Sequence, residues 1–178
     1  MSGLLYLIRH TAPDIAPGHC YGQLDVGLAQ SFTREAQDTL HWLPPVGLVV
    51  ASPLQRAHRL GELLAQEHRC PLHNDSRLME KHFGAWEGRA WDDIPRPELD
   101  AWAANLEGYA PPGGESARQL LSRVEDFLQD IARTPQQSVA VVSHAGSIRA
   151  MLALLGDAPL ARVVEWQVEY GSVTAVKL

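Results

Sequence analysis

Apolar residues fall into two kinds of pattern along this chain. Unbroken runs at 4–8, 46–51 and 139–142 have strand length, and continuous apolarity suits strands buried on both faces of a parallel sheet. Between them the apolar residues space out at helical intervals. Phe32, Ala36, Leu40 and Leu43 predict a helix over 28–42 that Pro44-Pro45 stops. Leu60, Leu63 and Leu64 mark a second helix, capped by Ser52 with Pro53 in its first turn. Glu115-Ser116 opens a third through Leu120, Leu121, Val124, Phe127, Leu128 and Ile131, and Ile148, Met151, Leu152 and Leu155 mark a fourth after His144. Residues 163–168 and 173–176 alternate like half-buried strands, with Gly171-Ser172 turning between them as a closing hairpin.

This alternation predicts an α/β fold: a three-layer α/β/α sandwich with a mostly parallel sheet and an antiparallel edge. With no repeats or linkers, residues 1–178 read as a single domain. Two stretches escape periodicity. The loop over 13–26 is rich in Gly, Pro and Asp and reads as a site wall. After a short extended segment at 75–79, residues 82–114 carry Trp91, Trp102 and several prolines, and read as an irregular, partly helical insertion covering the open end of the sheet.

Charge narrows the partners. The formal net charge is −6, which argues against a broad nucleic-acid-binding face. Lys81 and Lys177 are the only lysines, so local arginines must build any anion site. No apolar stretch is long enough for a membrane span, and the N-terminus lacks the order of a signal peptide. Cys20 and Cys70 have no CxxC spacing and read as free thiols, so the cytoplasm is the expected compartment.

The candidate chemistry lies where the buried runs end. Residues 4–8 run into Arg9-His10, and 138–143 run into His144-Ala145-Gly146. The carboxyl ends of parallel strands are where α/β proteins bind ligands. One His after a strand is more often structural; two in the same setting point to a site. Arg56, in the first turn of a helix, adds a guanidinium to free main-chain N–H groups and a favourable dipole. A neutral imidazole can attack phosphorus when its other nitrogen is held as a donor. Two arginines and a protonated His144 would neutralise the phosphoryl oxygens without a metal or cofactor. Glu80 is placed to protonate a leaving alkoxide.

Five motifs, in order over nearly the whole chain, carry a specific resemblance: Leu7-Ile8-Arg9-His10, Ser52-Pro53-Leu54-Gln55-Arg56, the stretch from Leu78 to Gly88 containing Glu80, Pro112-Gly113-Gly114-Glu115-Ser116, and Val142-Ser143-His144-Ala145-Gly146. Together they resemble the histidine phosphatase superfamily, the phosphoglycerate-mutase-like enzymes. That resemblance implies that His10 becomes a phosphohistidine, that Arg9, Arg56 and His144 hold the phosphate, and that Glu80 protonates the leaving group and later activates water. The stretches 17–25 and 86–95 are further similar to α-ribazole phosphatases, which implies hydrolysis of α-ribazole 5′-phosphate in cobalamin biosynthesis. Tyr21, Gln23 and Trp86 are candidates to hold the leaving group, with Thr11 and Ala145 as further substrate contacts.

Departures from the family pattern are Thr11-Ala12 in place of Gly-Glu, Ala145-Gly146 in place of Gly-Gly, and Gly27 in place of Pro. The competing readings are a phosphoglycerate mutase or sugar-phosphate phosphatase on the same scaffold, and a catalytically silent phospholigand-binding module. Ending directly after a strand, without a covering tail, favours hydrolysis over transfer. Retention of both His10 and Glu80 argues against a silent module. The expected partner is a small-molecule phosphomonoester, with no nucleic acid and no membrane; a homodimer stays open.

Overall fold

Five strands form one sheet in the order β3-β2-β4-β1-β5: β1 (Leu4–Arg9), β2 (Leu48–Ala51), β3 (Leu72–Asn74), β4 (Ser138–Ser143) and β5 (Val173–Lys177). The computed structural model describes residues 3–135, 138–156 and 158–178. β1 to β4 are parallel, and β5 runs antiparallel to β1 at the edge. Alternate residues of the central strands serve two cores. Leu5, Leu7, Val139 and Val141 face α4 (Ala117–Ile131) and α5 (Ala145–Leu155); Tyr6, Ile8, Ala140 and Val142 face α1 (Phe32–Trp42) and α2 (Gln55–His68). Each large apolar side chain buried this way contributes roughly 1.5–3 kcal/mol. The expected three-layer α/β/α architecture is what this packing produces.

The topology places the functional end. The chain leaves β1 into α1 on one face and leaves the neighbouring β4 into α5 on the other. A crevice opens at the carboxyl ends of two adjacent parallel strands whose connections diverge in this way. Beside it, α4 is pinned by a capping box in which Ser116 and Gln119 exchange side-chain and main-chain hydrogen bonds. Such caps stabilise a helix by about 1 kcal/mol. Among the described residues, no helix is long and apolar enough to cross a membrane.

The sequence expectations differ from the structure at five places. α1 begins at Phe32 rather than at 28, because Leu28 bridges to Pro13. Residues 163–168 are not a strand: α6 (Leu160–Val163) and an irregular segment fill that stretch, and β5 pairs with β1 instead of with a hairpin partner. Val163 and Val168 do point inward, into separate apolar clusters, which accounts for the apparent alternation. Residues 75–79 form a 3₁₀ turn (Ser76–Leu78), because the Asp75 carboxylate accepts the Arg77 N–H and closes the backbone. β3 precedes that turn and was not anticipated. Finally, α2 begins at Gln55 with Leu54 as its cap residue, so Ser52 and Pro53 lie outside the helix.

Segment 82–114 contains two further 3₁₀ turns (Gly84–Trp86 and Trp91–Asp93) and α3 (Arg96–Ala104). It builds a small core of its own, where Phe83, Trp91, Leu99, Trp102 and Tyr109 pack on Cys20, Trp86 and Ile94.

Candidate active site

The register of β1 and β4 assembles the site. Arg9 lies opposite Ser143, so His10 and His144 are the first residues beyond the paired ends. Neighbouring strands lie about 4.8 Å apart, and the two imidazole centroids are 4.9 Å apart. β2 delivers a third group in the same way, since Ala51 pairs with Val142 and Ser52 follows. The His144 Nε2 lies 2.8 Å from Ser52 Oγ. Ser52 is thus a site residue rather than a cap, and its position directly after a buried run was the signal available for it.

The tautomer of His10 is fixed by chemistry. Its Nδ1 lies 2.6 Å from the Thr11 carbonyl, which can only accept, so Nδ1 carries the proton and Nε2 presents a lone pair. Burial, then the charges of Arg56 and Arg9, push the His10 pKa down to about 3. It is therefore neutral and nucleophilic at physiological pH. His144 is also held well below its ordinary value, by burial first and then by neighbouring positive charge. The expectation of a protonated His144 thus fails for the resting site, because a fully buried imidazole stands in the positive field of His10, Arg56, Arg123 and Arg9.

Two arginines frame the histidines. Arg56, fully buried, donates from Nη1 to the Leu24 carbonyl and from Nη2 to the Gly22 carbonyl. Arg9 donates from Nη1 to the Val168 carbonyl. Each guanidinium keeps N–H groups that these bonds do not use. Among the described residues, the buried side-chain polar atoms without a partner are Arg9 Nε, Thr11 Oγ1, Arg56 Nε, His144 Nδ1 and, remote from the site, His68 Nε2. Buried donors normally find partners. Four orphaned groups gathered around one nucleophile describe a receptor for an anion with several oxygens. The helix N-terminus plays less part than expected, because the Gln55 N–H is given to the Asp25 carboxylate at 2.8 Å.

Glu80 is held on the other side of His144. Its Oε1 accepts the Lys81 N–H at 2.8 Å and its Oε2 accepts the Gly146 N–H at 3.0 Å. A Cβ at Gly146 would overlap the carboxylate, so this approach requires glycine there. The Glu80 carbonyl takes Gln23 Nε2 at 3.0 Å and Arg123 Nη2 at 2.9 Å, and Arg123 is paired with Glu115 at 2.6 Å. Arg123, Glu115 and Glu87 were not anticipated as supports. The Glu87 carboxylate accepts the N–H groups of Gln23 and Phe83, tying the 20–25 loop to the 82–114 segment. A Cβ at Gly22 would strike that carboxylate.

The remaining sequence candidates separate. Thr11 is buried at the floor, and Ala145 lines a cleft beside Glu80. Gln23 acts on the Glu80 main chain, and Tyr21 lies against Arg56. Trp86 does not reach the site: it is fully buried, with Nε1 donating to Glu98 at 2.6 Å. The cleft beside Glu80, of about 380 Å³, is lined instead by Phe83, Trp91 and Trp102, with Lys81 and Arg149.

Comparison with known proteins bears on the same residues. Residues 5–178 match the model of the histidine phosphatase superfamily (branch 1). The chain is 29% identical to the adenosylcobalamin/alpha-ribazole phosphatase of Salmonella typhimurium, over 98% of this chain and 90% of that one. It is 30% identical to the glucosyl-3-phosphoglycerate phosphatase of Mycobacterium tuberculosis, over 88% and 77%. The solved alpha-ribazole phosphatase of Shigella flexneri superposes with a TM-score of 0.88 at 27% identity, over 97% and 89%. The two buried strands that end in His10 and His144, and the fold that pairs them, are those of a family member: the chain belongs to branch 1 of the histidine phosphatase superfamily.

Proposed function

We propose that the protein is a phosphomonoesterase working through a phosphohistidine at His10. The observation that carries this reading is the His10 Nε2 lone pair set among four unpartnered buried polar groups. Arg9, Arg56, Thr11 and His144 grip the phosphoryl oxygens, and Nε2 attacks phosphorus in line with the departing alcohol. A bound phosphate dianion reverses the Coulomb field at His144 and raises its proton affinity, so His144 becomes a charged donor in the loaded site. Glu80 gives a proton to the leaving alkoxide, then takes one from the water that cleaves the phosphohistidine. The segment 82–114 is the cover over this site.

α-Ribazole 5′-phosphate is the substrate this reading favours, in a cytoplasmic enzyme of cobalamin biosynthesis. The support is the apolar cleft next to Glu80, where Phe83, Trp91, Trp102 and Leu106 offer a flat aromatic base a contact surface. The Salmonella relative carries that substrate in its name. A second reading has an observation of its own. Lys81, only 6% exposed, and Arg149 both line the cleft, and cations there suit a carboxylate-bearing alcohol such as a phosphoglycerate derivative.

A substrate panel decides between them. α-Ribazole 5′-phosphate, phosphoglycerates and sugar phosphates are assayed with p-nitrophenyl phosphate, with EDTA present. The expected result is turnover of p-nitrophenyl phosphate and the highest kcat/KM on α-ribazole 5′-phosphate. A preference for phosphoglycerates selects the second reading, and no turnover of any ester overturns both.

A further inference from the structure

Arg9 and Arg56 are held in the same manner by two unrelated loops. Arg56 is bonded to the carbonyls of Gly22 and Leu24, one and three residues after Tyr21, and its guanidinium carbon lies 5.1 Å from the Tyr21 ring centroid. Arg9 is bonded to the carbonyl of Val168, two residues before Tyr170, and lies 3.7 Å from the Tyr170 ring centroid. Each guanidinium thus rests on a loop whose tyrosine covers one of its faces. The loops are joined by the Tyr21 and Tyr170 hydroxyls, 3.0 Å apart. Among the described residues this is the one hydrogen bond between 17–26 and 164–172. The Tyr170 ring also lies 5.6 Å from the His10 ring, so the bridge passes beside the nucleophile.

We propose that Tyr21 and Tyr170 form a clasp that fixes the spacing of the two phosphate-binding guanidiniums. Both are positioning residues: they act through Arg9 and Arg56 rather than on the substrate. The physical need is specific. Phosphoryl transfer gains most from donors already set where charge spreads in the transition state. Main-chain carbonyls hold each arginine to its own loop, but among the described residues no other hydrogen bond holds one loop to the other. A cation over an aromatic face contributes about 0.5–2 kcal/mol depending on desolvation, so each ring also restrains its guanidinium directly. Removing only the hydroxyl link leaves charge, rings and carbonyl bonds in place. What it loosens is the distance between the arginines. That loss should weigh on a five-coordinate phosphoryl geometry more than on a tetrahedral ion.

This inference rests on the phosphate pocket of the proposed function, and its test separates the two. Tyr21→Phe, Tyr170→Phe and the double variant are compared with wild type in kcat and KM on p-nitrophenyl phosphate. Affinities for vanadate, which adopts the five-coordinate geometry, and for inorganic phosphate are measured by calorimetry. Each single variant is expected to lose about tenfold in kcat and in vanadate affinity, with KM and phosphate affinity changing less than about threefold. Because one bond is shared, the double variant should match either single variant within about twofold. Single variants that bind vanadate like wild type, or losses that multiply in the double variant, overturn the clasp. Equal losses of vanadate and phosphate overturn it too. A wild type that binds both oxyanions but hydrolyses no ester removes the phosphomonoesterase reading, and the clasp is still judged on the vanadate-to-phosphate ratio.

Discussion

The phosphate pocket and the cleft beside it are built by opposite means. His10, Ser52 and His144 leave the ends of three neighbouring parallel strands, so the hydrogen-bond register of the sheet sets their spacing. The cleft takes its aromatic walls from Phe83, Trp91 and Trp102, in a segment of 3₁₀ turns and one short helix packed on its own small core. Moving a strand end means slipping the sheet and turning every core side chain to the wrong face. Moving a cleft wall means repacking one aromatic side chain. Under the proposed function, chemistry therefore belongs to the rigid region and substrate choice to the adjustable one. Glu80 stands where they meet, bonded to Gly146 of α5 and lining the cleft.

The largest effect expected from testing that division is at the meeting point. Glu80→Gln should cost roughly 10²–10⁴-fold on an alkyl phosphate, whose alkoxide cannot leave unprotonated. The first step with p-nitrophenyl phosphate should be spared, because that leaving group needs no proton, and a burst of one p-nitrophenol per site should precede a stall. Equal losses on both substrates without a burst would move the acid elsewhere, with His82 and Glu87 next to be tried. Within the rigid region, Arg56→Lys keeps the charge but loses the planar fork that holds Gly22 and Leu24 while leaving Nε free for the proposed phosphate. A fall of roughly tenfold to a thousandfold in kcat/KM on every ester is expected. A loss confined to one substrate would break the division.

Acid should expose the cost of burying the nucleophile. An unfolded His takes up a proton near pH 6.5, whereas folded His10 resists protonation until about pH 3. Between those values the unfolded chain binds more protons, so stability is complete above pH 6.5 and falls as pH drops through this window. His10→Asn, which does not titrate, should remove about 2 kcal/mol of the loss between pH 7.5 and pH 5, read from urea midpoints. An unchanged loss would mean that His10 is protonated in the fold. The smallest effect belongs to the adjustable region. Trp102→Ala should raise KM for α-ribazole 5′-phosphate several-fold, by analogy with other aromatic contacts, and leave p-nitrophenyl phosphate nearly untouched.

The same division decided what the sequence could reveal. Buried parallel strands read as unbroken apolar runs, and the residues just past them, Arg9, His10 and His144, announced the pocket without a structure. Ser52 lay in the same setting but also suited a helix cap, and local chemistry does not choose between those roles. It was the register of β2 with β4 that chose. Trp86 shows the limit on the other side. In an aperiodic segment nothing distinguishes the tryptophan that becomes the core from Trp91 and Trp102, which face the cleft, because partners distant in sequence decide it. Tyr170 was invisible for a related reason, since its role depends on Tyr21, across most of the chain. Residues 163–168 misled because two inward valines imitate a strand when no neighbouring strand is on offer.

The central claim is that His10 carries the phosphoryl group, and trapping it is the most direct test. Wild-type protein is quenched in alkaline denaturant during turnover of p-nitrophenyl phosphate, digested, and its peptides weighed. A phosphohistidine intermediate requires one phosphoryl group on the peptide containing His10, lost on mild acid treatment and absent from His10→Ala, which should also lose roughly three orders of magnitude in turnover. An unmodified His10 peptide during steady turnover, together with an active His10→Ala enzyme, would contradict it.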